Sequence, residues 1–225
     1  MNIAAIRKEE CCGCAACFSV CPVEAITMRI DEKGFSYPQI NAEKCIKCGL
    51  CYKVCVEKET CFTQDVHAYA AKSNDLSVLK KATSGGVSFE FAKSILLNDG
   101  VVYGVVYNEE YEAIHTRISS FDECYRLLGS KYVQSDSKDS MKKLCEDLKG
   151  GKQVIYFGTS CYVAGLLSLL KKKGISTENL ITVDLICHGV PSPKLFREYI
   201  EFLKMDKRGF QKFDFRTKKL PWGYG

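Results

Sequence analysis

The stretch CCGCAACFSVCP, residues 11–22, decides how the first part of the chain folds. Its four regularly spaced cysteines follow the pattern C-x2-C-x2-C-x3-C, and the same pattern recurs 34 residues further along. The cysteines of the two runs are Cys11, Cys14, Cys17 and Cys21, then Cys45, Cys48, Cys51 and Cys55. In proteins with two iron–sulfur cubanes, the first three thiolates of such a run bind one cluster and the fourth binds the other. The two runs therefore predict two [4Fe–4S] clusters.

This crossing of ligands also predicts which cysteines share a cluster. One cluster is assigned to Cys11, Cys14, Cys17 and Cys55, and the other to Cys45, Cys48, Cys51 and Cys21. Thiolates also bind zinc, but zinc sites usually combine two cysteine pairs, or histidines, with longer gaps between them. The spacing therefore favours iron–sulfur clusters. The chain departs from the pattern only in having Val56 where a proline often follows the second run.

The composition narrows the class of protein further. Cysteine makes up 14 of the 225 residues, and the first ten residues lack the apolar core of a signal peptide. We therefore expect a cytoplasmic protein, in which such cysteines bind metals or do redox chemistry more often than they form disulfides. No apolar run approaches the length of about 18 residues that a membrane span requires. The net charge of +5 is too diffuse to predict a nucleic-acid site. Small buried side chains are expected at Cys12, Cys61, Cys124 and Cys145.

Two kinds of pattern divide the chain. Residues 1–61 form a predicted α+β ferredoxin-type domain with two clusters, in which residues 26–30 and 35–40 pair as a β-hairpin. From a predicted short strand at residues 66–71 onwards, strands alternate with helices of ten or more residues. This alternation predicts an α/β domain with a partly parallel sheet.

Three junctions before helices of the α/β part could bind a cofactor. Small residues at 82–86 (ATSGG) would suit an anion at a helix N-terminus, although a plain helix-start turn explains them equally well. In the second junction, GTSC at 158–161, Cys161 could be a core thiol, a metal ligand or a reactive thiol. The third contains Cys187 and His188. In a parallel sheet the last two junctions share an edge, where Cys161 and Cys187 could approach as a thiol pair or as ligands of a third cluster.

The size of the α/β part also indicates a cofactor. Two clusters in a small domain transfer single electrons and bind no organic substrate, so the remaining part of about 160 residues needs another role. A flavin would supply one, because flavins exchange two-electron hydride chemistry for one-electron steps.

The chain resembles the family of coenzyme F420 hydrogenase/dehydrogenase beta subunits, in the form with an N-terminal two-cluster [4Fe–4S] ferredoxin module. The resemblance rests on TSGG at 83–86, GSKYVQ at 129–134, GTSC at 158–161 with AGL at 164–166, and residues 180–193. It implies an FAD-binding flavoprotein domain, with its N-terminal part at 75–149 and the start of its C-terminal part at 150–225. By position, the implied FAD-binding residues are Thr83, Ser84, Gly85, Gly86, Lys131, Gly158, Thr159 and His188.

The chain departs from this family in two ways. The family commonly reads GTPCQ where this chain reads GTSCY at residues 158–162. The family's C-terminal domain also continues well past residue 216, so we expect residues 150–225 to be an incomplete part of it.

These features predict an iron–sulfur flavoprotein oxidoreductase. Electrons would pass between a hydride-carrying coenzyme, reduced F420 or a similar compound, and a redox partner protein or ferredoxin, through FAD and two clusters. One alternative is a non-catalytic electron-transfer subunit whose α/β half docks a partner. Another is a non-redox role in which the α/β half binds a different ligand. No residue of the chain is singled out as catalytic.

Overall fold

The computed structural model of the protein describes residues 1–56, 66–203, 213, 215 and 216. Its helices and strands are α1 (Ala16–Val20), β1 (Ile26–Ile30), β2 (Ser36–Ile40), α2 (Leu50–Lys53), α3 (Leu76–Lys81), α4 (Val87–Leu97), β3 (Val101–Tyr107), β4 (Ala113–Ile118), α5 (Lys138–Lys149), β5 (Val154–Thr159), α6 (Ser160–Lys173), β6 (Leu180–Leu185) and α7 (Pro193–Phe202). Short 3-10 helices lie at Ile3–Ala5, Lys8–Glu10 and Asp122–Leu127.

The first part of the chain contains the predicted β-hairpin. Strands β1 and β2 pair antiparallel, with Ile26 opposite Ile40. Asp31 closes the turn, because its carboxylate accepts a hydrogen bond from the Phe35 N–H at 2.8 Å. Each cysteine run contains a short helix, α1 in the first run and α2 in the second. The hairpin therefore separates the two runs and holds them at a fixed spacing.

The second part contains the predicted α/β sheet, in the order β4-β3-β5-β6. Strand β3 pairs antiparallel with β4, whereas β3 with β5 and β5 with β6 are parallel. The partly parallel sheet is thus confirmed. The strand predicted at residues 66–71 was wrong, because these residues are exposed and belong to no strand. The sequence also predicts the start of a strand at residues 213–215, of which residue 214 lies outside the described residues.

The two faces of this sheet are covered by different parts of the chain. Because successive strand residues point to opposite faces, Tyr103 and Tyr156 pack on one face, and Val102 and Ile155 on the other. The first face is covered by α5, α6 and α1, and the second by α4 and the 3-10 helix Asp122–Leu127. The ferredoxin-like part therefore shares a hydrophobic core with the α/β part, instead of being joined to it only by a linker.

A buried polar group lies within the first core. The Asp147 carboxylate accepts hydrogen bonds from the Tyr103 hydroxyl and from Arg117 Nε, both at 2.7 Å. Burial alone would raise the pKa of Asp147, but the hydrogen bonds from Arg117 and Tyr103 outweigh it and hold this pKa below its usual value. This arrangement joins β3, β4 and α5, the helix against which α1 packs.

Candidate metal centre

Four cysteines from both runs line one pocket beside the hairpin. The pocket lies between β1, β2 and α2, and its walls are mostly apolar. Its cysteines are Cys21, Cys45, Cys48 and Cys51, and its aliphatic side chains include Ile26, Ile40, Ile46 and Leu50. Cys51 is buried and Cys48 is exposed, so the pocket reaches the surface on the Cys48 side. Thiol donors with apolar walls are the environment that an iron–sulfur cluster requires.

Three cysteines of the other set interact with one another. Burial raises the pKa of the Cys17 thiol above its usual range, and charge on Cys11 or Cys55 would raise this pKa further. Burial also raises the pKa of the Cys11 thiol, and charge on Cys55 would raise this pKa further. Across the described residues, no three His, Cys, Asp or Glu side chains are close enough together to hold a single metal ion.

The fourth cysteine of that set, Cys14, faces the α/β part. Helix α6 passes so close that a Cβ atom at Gly165 would lie 2.9 Å from Cys14 Sγ. The Cys14 carbonyl accepts a hydrogen bond from Ser137 Oγ at 2.8 Å. Glycine at position 165 therefore allows the close approach of α6 to the first cysteine run.

Two thiols outside the eight predicted ligands lie next to Cys14. The Cys12 thiol lies close enough to those of Cys14 and Cys161 to interact with both, and Cys161 Sγ lies 3.3 Å from Thr159 Oγ1. The interaction with Cys14, together with burial, raises the pKa of Cys12 to about 12. The interaction with Cys12 and burial likewise raise the pKa of Cys161. Of the cysteines expected to be small buried side chains, Cys124 and Cys145 are buried, Cys12 is half-buried and Cys61 lies outside the described residues.

Gln134 connects the ferredoxin-like part to the α/β part. Its side chain accepts a hydrogen bond from the Ser36 N–H at 3.0 Å and donates one to the Cys12 carbonyl at 3.4 Å. Its own N–H donates to the Pro191 carbonyl at 3.1 Å. Sequence reasoning assigned no role to this residue, although it ends one of the four motifs that carry the family resemblance.

A buried aromatic stack adjoins Cys14 on the sheet side. The His115 ring stacks on Tyr156 at 5.3 Å and on Tyr162 at 5.0 Å between centroids. Burial lowers the pKa of His115 to about 4, so its imidazole is neutral near pH 7. The Tyr162 hydroxyl donates to the Ser135 carbonyl at 2.5 Å. Both tyrosines are buried, and a charge on the Cys14 thiol would raise the pKa of their hydroxyls further, so they lie close to Cys14 and cover this side of it.

The loop predicted to bind FAD at residues 83–86 is held by contacts within the chain. Thr83 Oγ1 accepts a hydrogen bond from the Ser130 N–H at 2.9 Å. A Cβ atom at Gly85 would lie 2.8 Å from the Ala71 carbonyl oxygen, so the backbone of residues 71–72 already occupies the space that this glycine leaves. Ser84 is exposed and Gly86 is buried at the start of α4.

The predicted FAD ligand Lys131 also has partners within the chain. Its ammonium group donates to three consecutive carbonyls at 2.9–3.2 Å, those of Arg126, Leu127 and Leu128. The side chain thus satisfies carbonyl groups at the end of the 3-10 helix. A structural role therefore explains this lysine as well as a cofactor contact does.

Of the remaining predicted FAD ligands, Gly158 and Thr159 lie on β5 and His188 follows β6. Gly158 and Thr159 pair with Asp184 and Leu185, and His188 is exposed in the loop after β6. Because β5 and β6 are parallel, the loops after them share one edge of the sheet, as predicted. The Cys161 thiol nevertheless lies beside Thr159 and near Cys12, whereas Cys187 is exposed and its sulfur accepts the Gly189 N–H at 3.3 Å.

Hydrogen bonds connect all four motifs of the family resemblance. Thr83 joins the first motif to Ser130 in the second, and Gln134 joins the second motif to Pro191 in the fourth. Strand pairing joins the third motif to the fourth. Segments that are far apart in sequence thus form one connected region, which reaches Cys12 of the first run through Gln134.

Comparison with protein families agrees with both parts of the fold. Residues 10–58 match the 4Fe-4S dicluster domain, which supports the presence of two [4Fe–4S] clusters. The first part of the chain is therefore an iron–sulfur module of the dicluster class. Residues 151–224 match the C terminus of the coenzyme F420 hydrogenase/dehydrogenase beta subunit. The two matches together support the family of coenzyme F420 hydrogenase/dehydrogenase beta subunits, in the form that carries this N-terminal module.

Two curated relatives carry names of the same kind. The chain is 23% identical over 240 residues to a subunit of the F420H2 dehydrogenase of Methanosarcina mazei, covering 97% of this chain and 65% of that protein. It is 26% identical over 146 residues to the beta subunit of F420-dependent formate dehydrogenase 1 of Methanococcus maripaludis, covering 62% and 36% of the two lengths. The chain thus spans at most about two thirds of these relatives.

Among solved structures, the chain is similar to one of the F420-reducing [NiFe] hydrogenase complex from Methanosarcina barkeri. The match has a TM-score of 0.48 and 18% identity, and covers 61% of this chain and 50% of the other. In the part of this chain that the structure describes, helices long and apolar enough to cross a membrane are absent.

Proposed function

We propose that this chain is an iron–sulfur flavoprotein subunit of a cytoplasmic F420-linked oxidoreductase. In this role it transfers electrons between a hydride carrier, reduced F420 or a similar coenzyme, and a ferredoxin-like protein. The observation that carries the proposal is the core shared by the two parts of the chain. Helix α1, which follows Cys14, packs against α6, which follows Thr159. A cluster bound through Cys14 would therefore lie beside the α/β part.

The proposed ligand sets are those that the crossed pattern predicts. The set that lines the pocket is Cys45, Cys48, Cys51 and Cys21, and the other is Cys11, Cys14, Cys17 and Cys55. Bound clusters would supply one-electron redox centres at these two positions. The chain's own contribution is to arrange and shield the thiols. The aromatic stack of His115, Tyr156 and Tyr162 excludes water on the Cys14 side, and exposed Cys48 marks the side from which a redox partner would be reached.

We place the FAD site in the connected region formed by the four motifs. Bound FAD would supply the exchange between hydride and single-electron chemistry. The support comes from the sheet edge where the loops after β5 and β6 meet, which is the usual ligand position in α/β folds. The proposed contacts are Thr83, Ser84, Gly85, Gly86, Lys131, Gly158, Thr159 and His188. Those at this edge, Gly158, Thr159 and His188, are the best placed, because Gly85 and Lys131 are occupied by contacts within the chain.

A second function is favoured by those occupied residues. If the glycine loop and Lys131 serve only the fold, the α/β half would dock a partner, and the chain would be an electron-transfer subunit without flavin. Both curated relatives are named as subunits, and in either function we propose that the chain works with a partner protein. A third cluster that includes Cys161 and Cys187 remains a prediction.

Anaerobic purification followed by iron, sulfide and flavin analysis tests the two functions. We expect about eight iron atoms per chain, as two cubanes require, and one FAD. Reduced F420 should then bleach the visible absorbance of the clusters as dithionite does. Eight iron atoms with no flavin and no response to reduced F420 would instead establish the electron-transfer subunit. Zinc in place of iron would contradict both functions.

A further inference from the structure

One segment of the α/β part, residues 134–137, runs along the backbone of the first cysteine run. The Cys12 carbonyl accepts a hydrogen bond from Gln134 Nε2 at 3.4 Å, and the Cys14 carbonyl accepts one from Ser137 Oγ at 2.8 Å. Both donors are buried, with 8% of Gln134 and 1% of Ser137 exposed. Water is therefore poorly placed to replace either bond. We call residues 134–137 the strap.

The strap is anchored to the sheet on its other side. Asp136 forms a β-bridge with Ile114 of β4. Its N–H donates to the Ala113 carbonyl at 2.9 Å, and its carbonyl accepts from the His115 N–H at 2.7 Å. The two side chains that reach the first cysteine run are thus presented by backbone that the sheet fixes.

The position of Ser137 in the sequence would suit a different role. It is the N-cap residue of α5, where serine is favoured because its hydroxyl usually accepts from the first N–H groups of the helix. Within the described residues, however, the Ser137 side chain makes no capping bond to α5. Its hydroxyl instead donates to the Cys14 carbonyl, 123 residues away. The side chain therefore serves the first cysteine run and not its own helix.

The residues that follow the two held carbonyls have left-handed backbone conformations, with φ of 73° at Gly13 and 62° at Ala15. Glycine adopts this conformation freely, whereas in alanine the Cβ atom crowds the backbone. A residue in such a conformation persists only when its surroundings hold it. Because the peptide bond is planar, the hydrogen bonds on the Cys12 and Cys14 carbonyls fix the peptide planes that lead into Gly13 and Ala15.

We propose that the strap is a positioning element for the cluster bound by Cys14, and that it holds the first cysteine run in the strained conformation that presents its thiols. Ala15 lies between Cys14 and Cys17, so relaxation of its backbone would change the spacing of these two ligands. This role rests on the proposed function for the cluster. It adds that one cluster depends on the α/β part, whereas the pocket for the other is lined by the hairpin and α2.

Release of iron to a chelator from the anaerobically purified full chain, followed by electron paramagnetic resonance, tests the strap. Ser137→Ala should speed release from one cluster about tenfold, since leaving a buried carbonyl without its donor costs free energy of that order. Gln134→Met should speed release from the same cluster. The signal lost first should be the one missing from Cys55→Ala, which removes a ligand of the same set. The other cluster should follow the wild type, as should both clusters of the control Ser168→Ala, which removes a buried hydroxyl without a partner among the described residues.

The strained residue allows a second test. In the Ala15→Gly background the backbone at position 15 adopts its conformation without steric cost. Adding Ser137→Ala to that background should therefore speed release less than it does in the wild-type background, as a double-mutant cycle measures. Equal acceleration in both backgrounds would overturn the proposal, because the hydrogen bond would then not act through the strained backbone.

Two further results would overturn the role of the strap. One is wild-type release from Ser137→Ala and Gln134→Met, and the other is equal acceleration of both clusters, which would indicate a general structural change. A Ser137→Ala protein isolated with a single cluster supports the strap if the missing signal is the one absent from Cys55→Ala, and contradicts it otherwise. A wild-type count far below about eight iron atoms contradicts the two-cluster proposal, whereas eight atoms with unselective release contradict only the strap.

Discussion

Replacing Gly165 by alanine tests whether the α/β part must approach the first cysteine run as closely as the structure shows. The added methyl group would lie 2.9 Å from Cys14 Sγ and 3.2 Å from Cys14 Cβ. Ordinary contacts between such atoms are about 3.5–4.0 Å. Helix α6 or the cysteine run would therefore have to move to make room.

Two opposing contributions set the size of the effect. Overpacking of a well-filled core costs about 1–3 kcal/mol. Alanine in a helix interior is favoured over glycine by about 0.8–1.0 kcal/mol, and Gly165 lies inside α6. The net expectation for Gly165→Ala is a destabilisation of about 1 kcal/mol, which corresponds to a fall in Tm of roughly 2–4 °C for a chain of this size.

Thermal unfolding of the anaerobically purified protein, followed by circular dichroism, measures this change. Gly150→Ala, at the C-terminal cap of α5, is the control for a glycine without such a close contact. Its Cβ atom would lie 3.4 Å from its two nearest neighbours, so its Tm should not fall. The Gly165→Ala variant should also lose its visible cluster absorbance faster than the wild type on heating. A Tm equal to or above that of the wild type would refute the reasoning, because helix propensity alone predicts that outcome.

Two further predictions concern the groups that hold the parts together. Asp147→Asn should destabilise the protein by about 3 kcal/mol, the low end for breaking a buried ion pair, since Arg117 would lose its counter-charge and one of the two oxygens that accept from Arg117 and Tyr103 would become an NH2 donor. Because the pKa of Asp147 is lowered on folding, its contribution is present above the usual carboxyl pKa and is lost as pH falls through the folded value. Tm measured from pH 7 down to pH 3 should fall less steeply in the variant, and parallel curves would contradict this. Gln134→Met should speed hydrogen exchange at the Ser36 amide, since that N–H loses its acceptor. The Asn98 amide serves as the reference. An unchanged exchange rate at Ser36 would show that Gln134 does not hold the hairpin.

The local features of this protein are the ones that its sequence predicts well. The spacing of the cysteines is a local property, because three ligands of one cluster lie within seven residues of one another. The hairpin and the alternation of strands and helices likewise depend on patterns within short stretches of sequence. The strand predicted at 66–71 was wrong. A strand needs a partner elsewhere in the chain, and the pattern of six residues cannot show whether such a partner exists.

The contacts between the two parts could not be predicted in the same way. Gln134 reaches Ser36, which is 98 residues away in sequence, and Gly165 meets Cys14 across an even longer separation in sequence. Cys12 lies beside a predicted ligand and was expected only to fill space, because nothing in its neighbours indicates Cys161 as its partner. The predicted common edge for the loops that carry Cys161 and Cys187 is confirmed, since β5 and β6 do end at one edge. The fold then turned the Cys161 thiol towards the first cysteine run.

Crossed ligation predicts that each of the two clusters takes its ligands from both cysteine runs. Its most direct test is iron analysis and electron paramagnetic resonance of three single variants, Cys21→Ala, Cys48→Ala and Cys55→Ala. Each should retain about four of about eight iron atoms. Cys21→Ala and Cys48→Ala should lose the same cluster signal although they lie in different runs, and Cys55→Ala should lose the other one. Loss of the same signal from Cys48→Ala and Cys55→Ala, with the other signal lost from Cys21→Ala, would contradict the account.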